Sequence, residues 1–325
     1  MRIIENVASK RFDPQLRDIE LPLTGTYHPA GFRVDIATNS RHVLEAAEES
    51  WGACRLEFDC EPLEFRVVTA PGRELAPPPV FRMQRHLLSV VSDAGNHAIV
   101  DPHSWFAAAW VSENTAADHA WFRWFFLESV AYLLLAQRYV VPVHAACVAR
   151  RGAGVLMCGK SGAGKSTLSF ACARAGWTYL GDDSTCLLAE SNERLAIGRP
   201  HHARFRDDGP ALFPELGGLS TSVRPNGKLS LEVPMAAFPE IRIASRCRIE
   251  SLVLLDRQSG GRPRRERVLG GEAVDYMLGE LPTYGSEVDA MHERTLRRLQ
   301  SLSAWRICYE SLDQGLRLLQ EILPA

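Results

Sequence analysis

Residues 159–166 read GKSGAGKS and satisfy the pattern G-x-x-x-x-G-K-[ST]. No other stretch of the chain restricts its fold as tightly. The apolar run GVLMC (154–158) leads into it, and KSTLSFACARAG (165–176) follows with helical character. The glycines permit backbone turns that aim successive N–H groups inward, and a helix N-terminus adds its own amides and dipole. The expected arrangement is therefore strand, anion-cradling loop, helix, with Gly159, Ser161, Gly162, Ala163, Gly164, Lys165, Ser166 and Thr167 as the nucleotide-phosphate set. In such a loop the Lys165 ammonium reaches the outer phosphates of ATP and the Ser166 hydroxyl can ligate Mg²⁺. The bland alternative is a glycine-rich strand-to-helix turn that binds nothing.

A second feature follows closely. Asp182 and Asp183 stand 17 and 18 residues after Lys165, at the end of WTYLGDD. About three helical turns and one strand fill that interval. A strand beside GVLMC and parallel to it would bring both carboxylates to the sheet edge where open α/β folds bind ligands. Neighbouring side chains on extended backbone face opposite ways. One aspartate can then face the reacting hydroxyl and accept its proton, and the other the metal. The alternative is a GDDS turn with solvated acids.

The remaining chain divides at about residue 138. Within 1–138, GFRVDIAT and LEFRVVTA read as strands, and NSRHVLEAAEESWG as a helix capped by Ser40 with Val43, Leu44 and Ala47 on one face. FRMQRHLLSVVSD and HAIVDPHSWFAAAWVS read as two antiparallel strands joined at AGN. The aromatic segment HAWFRWFFLESVAYLLLAQRYVV carries His119, Arg123, Glu128 and Arg138, and its uncharged run is too short to span a bilayer. A buried helix is expected there. Residues 139–325 alternate strand and helix, with IESLVLLDR as the most apolar and most central strand. The expectation is an α/β domain over 139–325, preceded by an α+β domain over 1–138 that selects or presents a substrate.

Composition excludes several classes. A net charge of −2 gives no field for nucleic acid or anionic lipid. Eight scattered cysteines, with no CxxC pair and no ligand-spaced Cys/His cluster, argue against zinc and fit a reducing cytoplasm. The N-terminal MRIIENVASKRFDPQLRD lacks the apolar core of a signal peptide.

The stretch VHAACVARRGAGVLMCGKSGAGKSTLSFACARAGWTYLGDD resembles the catalytic domain of bacterial HPr kinase/phosphorylase and its kinase-only relatives. The shared pattern is a histidine (His144), a hairpin, the loop from Gly159 to Ser166, a helix ending at Gly176, and the pair Asp182/Asp183. Strong resemblance is confined to about residues 143–190. It implies a P-loop kinase domain of the HPr-kinase type that uses ATP and Mg²⁺. In that reading Lys165 and the loop amides bind phosphate, Ser166 ligates the metal, Asp182 is the general base, and Asp183 supports the metal. His144 would stand beside the active site, or be a satisfied strand-end histidine. FPELGGL resembles a segment that supplies a metal-binding glutamate, which nominates Glu215, or else a surface acid. Closed oligomers are common in the family, so a homo-oligomer is implied.

The chain also departs from the pattern. Thr167 replaces a usual glutamate, and Gly217-Gly218-Leu219 stands where an Arg-Gly-Leu-Gly signature is expected. These differences point away from HPr as acceptor and toward kinase-only relatives such as lasso peptide kinases. The expected activity is ATP-dependent transfer of the γ-phosphate to a serine-type hydroxyl of a protein, peptide or small molecule. Its rivals are a nucleotide-binding regulatory module and a partner-coupled NTPase that transfers nothing. Lys228 and the basic run RQSGGRPRRER (257–267) could contact phosphate or an acidic substrate, or be solvated surface.

Overall fold

The fold is described from a computed structural model covering residues 19–72, 75–84, 86–219, 221–223, 227 and 229–323. Lys228 and the N-terminal stretch through Asp18 lie outside the described residues. Two compact units divide between Leu134 and Leu135. Both contain mixed sheets with helices.

The first unit contains β1 (Leu23–Tyr27), β2 (Val34–Thr38), α1 (Arg41–Trp51), β3 (Leu63–Ala70), β4 (Val80–Gln84), β5 (Leu87–Val91), β6 (His97–Asp101) and β7 (Phe106–Ser112). They form one seven-stranded sheet in the order β1-β2-β3-β7-β6-β5-β4. The strands β2, β3 and β7 run parallel, and β7-β6-β5-β4 is an antiparallel meander. The two long strands expected over 81–112 are thus four, because the chain also reverses near His86 and at 102–105. Ser40 occupies the N-cap of α1 without a side-chain cap bond. Its buried face is Val43, Ala46, Ala47 and Trp51, and Leu44 is only half-buried. The aromatic segment is helical without a break from His119 to Arg138, with a π-helical turn inside it. It follows the short α2 (Glu113–Ala117) and comprises α3 (His119–Phe122), a π-helical turn over Arg123–Leu127 and α4 (Glu128–Arg138). Phe122, Phe126, Leu127, Val130 and Leu134 are buried along it. No helix among the described residues is long and apolar enough to cross a membrane.

The second unit holds β8 (Val140–Val143), β9 (Ala145–Arg150), β10 (Ala153–Cys158), α5 (Lys165–Arg174), β11 (Thr178–Gly181), β12 (Thr185–Leu188), β13 (Leu195–Ile197), β14 (His202–Phe205) and α6 (Gly209–Leu212). It continues with β15 (Ser222–Val223), β16 (Leu229–Pro234), β17 (Arg246–Arg257), β18 (Arg264–Val268), α7 (Gly270–Gly279), α8 (Ser286–Arg297), β19 (Ser303–Tyr309) and α9 (Leu312–Ile322). The main sheet runs β11-β9-β10-β17-β13-β12-β8, with β19 also on β17 and β18 on β19. Period-two alternation along β9, β10 and β17 feeds two separate cores. Cys147, Leu156 and Leu252 pack toward Val274, Met277 and Leu296 of α7 and α8. Val148, Met157 and Val253 pack toward Leu168 and Cys172 of α5 and Leu318 and Leu319 of α9. Helices cover both faces of the sheet, which is why LVLL of β17 is an unbroken apolar run.

One expectation changes here. A strand, β9, separates β11 from β10, so β11 lies parallel to β10 but one place removed. Its carboxyl end still reaches the edge where β10 ends. The stretch HHARFRDD contains β14, which joins β16 and β15 in a separate small sheet. The basic run 257–267 is partly strand. Its end forms β18 against β19, where Arg265 pairs with Glu321 and lies over Trp305, 5.2 Å from the ring centroid.

Candidate functional site

The strand β10 ends at Cys158, and the chain turns through Gly159–Gly164 into α5. Gly162 (φ 87°) and Gly164 (φ 94°) adopt the left-handed backbone that glycine alone accepts cheaply. Gly164 is the N-cap of α5, so the first helical amides face the loop's concave side. A Cβ on Gly164 would lie 2.6 Å from the Tyr309 hydroxyl, which itself donates to the Ala163 carbonyl. Gly164→Ala is therefore expected to cost about 1–3 kcal/mol and to weaken nucleotide binding. Chemical denaturation and a nucleotide titration check the two effects separately.

A cleft of about 240 Å³ opens over this loop. Ser161, Gly162, Gly164, Lys165, Ser166 and Thr167 line one wall, and His144, Asp182 and Asp183 line it as well. Gly159 and Ala163 do not line the cleft. Gly159 is a packing position, where a Cβ would meet Ala163 Cβ at 2.9 Å and the Leu255 carbonyl at 3.0 Å.

Lys165 is only 6% exposed, and its Nζ donates to the Gly159 carbonyl at 2.7 Å. Burial pushes its ammonium down from the ordinary lysine range, against the pull of the Asp183 and Asp182 carboxylates. Asp182 is likewise 6% exposed, and its Oδ2 accepts the Arg204 backbone N–H at 3.0 Å. Burial raises its pKa above the usual value, opposed by the Ser166 hydroxyl, while the neighbouring Asp183 charge adds to the rise. Asp183 lines the same cleft and is more exposed, with its Oδ1 3.4 Å from His144 Nδ1. Thr167 Oγ1 donates to the Gly164 carbonyl at 3.0 Å and so closes the first helical turn.

Glu215 is not brought to this site. It forms an ion pair with Arg174. Arg174 is the last residue of α5 and Lys165 the first, so at 1.5 Å per residue the pair sits roughly 13 Å along the helix from the loop. The 3-10 turn over Pro214–Leu216 is anchored there by buried Leu216, which directs the glutamate to the helix C-terminus.

Sequence reading missed Arg204, Arg206 and Ser230 among the residues that line the cleft, whereas Arg257, also in its lining, opens the basic run 257–267. Arg206 Nη2 donates to Ser161 Oγ at 3.0 Å. Ser230, on β16, is 4% exposed, and its hydroxyl has no hydrogen-bond partner among the described residues. No local spacing marked these positions, because β14 and β16 reach the loop through the tertiary fold. The cleft thus combines inward amides, a buried ammonium, extra guanidinium charge and an orphaned hydroxyl, which fits a phosphorylated ligand. Two carboxylates and the Ser166 hydroxyl at the same wall are hard oxygen donors that suit a magnesium ion.

Compared with known proteins, residues 110–205 match the family model of the SynChlorMet cassette protein ScmC. That span includes the phosphate loop and both aspartates. No curated protein matches the chain. Among solved structures, the HPr(Ser) kinase/phosphatase from Coxiella burnetii is similar, at 13% identity. The match covers 56% of this chain and 97% of that one, with a TM-score of 0.30.

Proposed function

We propose that the second unit binds ATP on the loop Gly159–Thr167 and transfers its γ-phosphate to a serine-type hydroxyl of a protein, peptide or small molecule. One observation carries this reading. The buried carboxylate of Asp182 lines the same cleft as Lys165, Ser166 and the helix N-terminus, where a nucleotide holder alone has no use for a base.

The division of labour follows from the surroundings of each group. The loop amides, Lys165, Arg206 and Arg257 hold the negative charge of the phosphates. Ser166 and Asp183 would hold a magnesium ion, whose contribution is to neutralise phosphate charge. Asp182 takes the proton of the acceptor hydroxyl as that oxygen bonds to the γ-phosphorus and the bond to the β-phosphate oxygen breaks. Its raised pKa makes it a stronger base than an exposed aspartate. His144, beside Asp183, positions that carboxylate.

The experiment is incubation with [γ-³²P]ATP, magnesium and a panel of serine-containing peptides, proteins and small alcohols. Label on an acceptor, absent with Asp182→Asn, supports the kinase. Nucleotide binding with no label on any acceptor and no hydrolysis would favour a sensor. Hydrolysis without transfer would favour a partner-coupled NTPase.

A further inference from the structure

We infer that the first unit carries a zinc-type divalent cation site formed by His42 and Glu45 of α1 and His119 of α3. This site is independent of the phosphate cleft and of its proposed activity. His42 and Glu45 are three residues apart and share one face of α1. His42 Nδ1 lies 3.4 Å from His119 Nε2 and 3.4 Å from Glu45 Oε2, and the third side of the triangle, His119 Nε2 to Glu45 Oε2, is 3.8 Å. These separations are long for hydrogen bonds. They match the spacing of atoms that share an ion, because the point equidistant from all three is about 2.05 Å from each, the length of a zinc–nitrogen or zinc–oxygen bond.

The surroundings of His119 point the same way. Its other ring nitrogen, Nδ1, lies 2.6 Å from Glu49 Oε1. Glu49 Oε2 in turn accepts from Arg123 Nη1 at 3.3 Å, and Arg123 Nε donates to Ser50 Oγ at 2.8 Å. A carboxylate on the far nitrogen fixes the tautomer that leaves Nε2 with a free lone pair, the usual support for a metal-bound histidine. Two imidazoles and one carboxylate select zinc or a neighbouring transition ion over magnesium or calcium, which prefer oxygen ligands throughout. His42 and Glu45 are about half exposed, so solvent completes the coordination. The bound ion ties α1 to α3.

The test uses the full chain, stripped with chelator and returned to buffer, with Zn²⁺ titrated against a chromophoric chelator and Co²⁺ as the optical probe. The expected result is one Zn²⁺ per chain at micromolar affinity or tighter. His42→Ala, at an exposed helical position where alanine keeps the helix, should lower that affinity by about 100-fold or more and remove the Co²⁺ visible bands. Glu49→Gln should weaken binding about 10- to 100-fold with the stoichiometry kept. Asp183→Asn, in the other unit, should leave zinc binding unchanged. No zinc bound, full affinity in His42→Ala, or zinc lost in Asp183→Asn would each overturn the site.

Discussion

Asp182→Asn is expected to lower phosphoryl transfer by about 10²–10⁴-fold while nucleotide stays bound, since an amide cannot accept the hydroxyl proton but keeps the side chain's shape. Single-turnover transfer from labelled ATP, set beside a nucleotide titration, separates the two effects. The same substitution should stabilise the fold at neutral pH. Asp182 is buried and its folded pKa is raised, so the folded state holds the proton more tightly than the unfolded chain does. Wild-type stability is then fullest below the ordinary aspartate range and falls as pH rises through the raised value. Above that window the wild type bears the cost of a buried charge, and the asparagine variant does not. The Arg204 amide still finds an oxygen acceptor in the variant. The expected outcome is a higher melting midpoint for Asp182→Asn at pH 7, by about 2 °C or more, a gain that vanishes in acid. Turnover of the wild type should fade on acidification at a pH above the normal aspartate range, because the base must be ionised.

Phe170→Ala is expected to cost about 3–5 kcal/mol, the largest stability loss from a single truncation near the site. Phe170 is fully buried on α5 and meets Phe213, Phe205 and Phe238 edge-on at centroid distances of 4.9, 5.3 and 5.5 Å. This cluster is where α5 packs on β14 and β16. Its loss both opens a cavity and removes aromatic contacts. Urea unfolding followed by fluorescence should place the midpoint well below wild type. Phe170→Leu, which fills more of the volume, should lose less than half as much.

The phosphate loop, its flanking strand and helix, and the acidic pair were legible because their chemistry is local. Fixed spacing puts Lys165 and Ser166 on the first helical turn, and one strand returns the chain to the same edge. The buried run IESLVLLDR was equally readable, since a strand covered on both faces has few polar positions. Other parts were set by contacts between distant segments. The hairpin β9-β10 inserts its first strand between β10 and β11, which no residue of β11 announces. Arg204, Arg206 and Ser230 reach the cleft only because the Phe170 cluster seats a second small sheet there. Glu215 was nominated by resemblance alone, and Arg174, within α5, draws it to the opposite end of that helix. The trio His42, Glu45 and His119 spans 77 positions, so its parts carry no joint signal in sequence.

One donor to the Asp182 carboxylate is a main-chain group, the N–H of Arg204 on β14. No side-chain replacement except proline can delete it, so this contribution to the base's strength, unlike those of Ser166 and Asp183, changes only when the strand itself shifts. A displacement of β14 large enough to break that bond would leave the anion with one fewer donor and make it retain its proton more firmly. Whatever settles against the small three-stranded sheet thereby acquires leverage over proton transfer without touching either the nucleotide loop or the carboxylate.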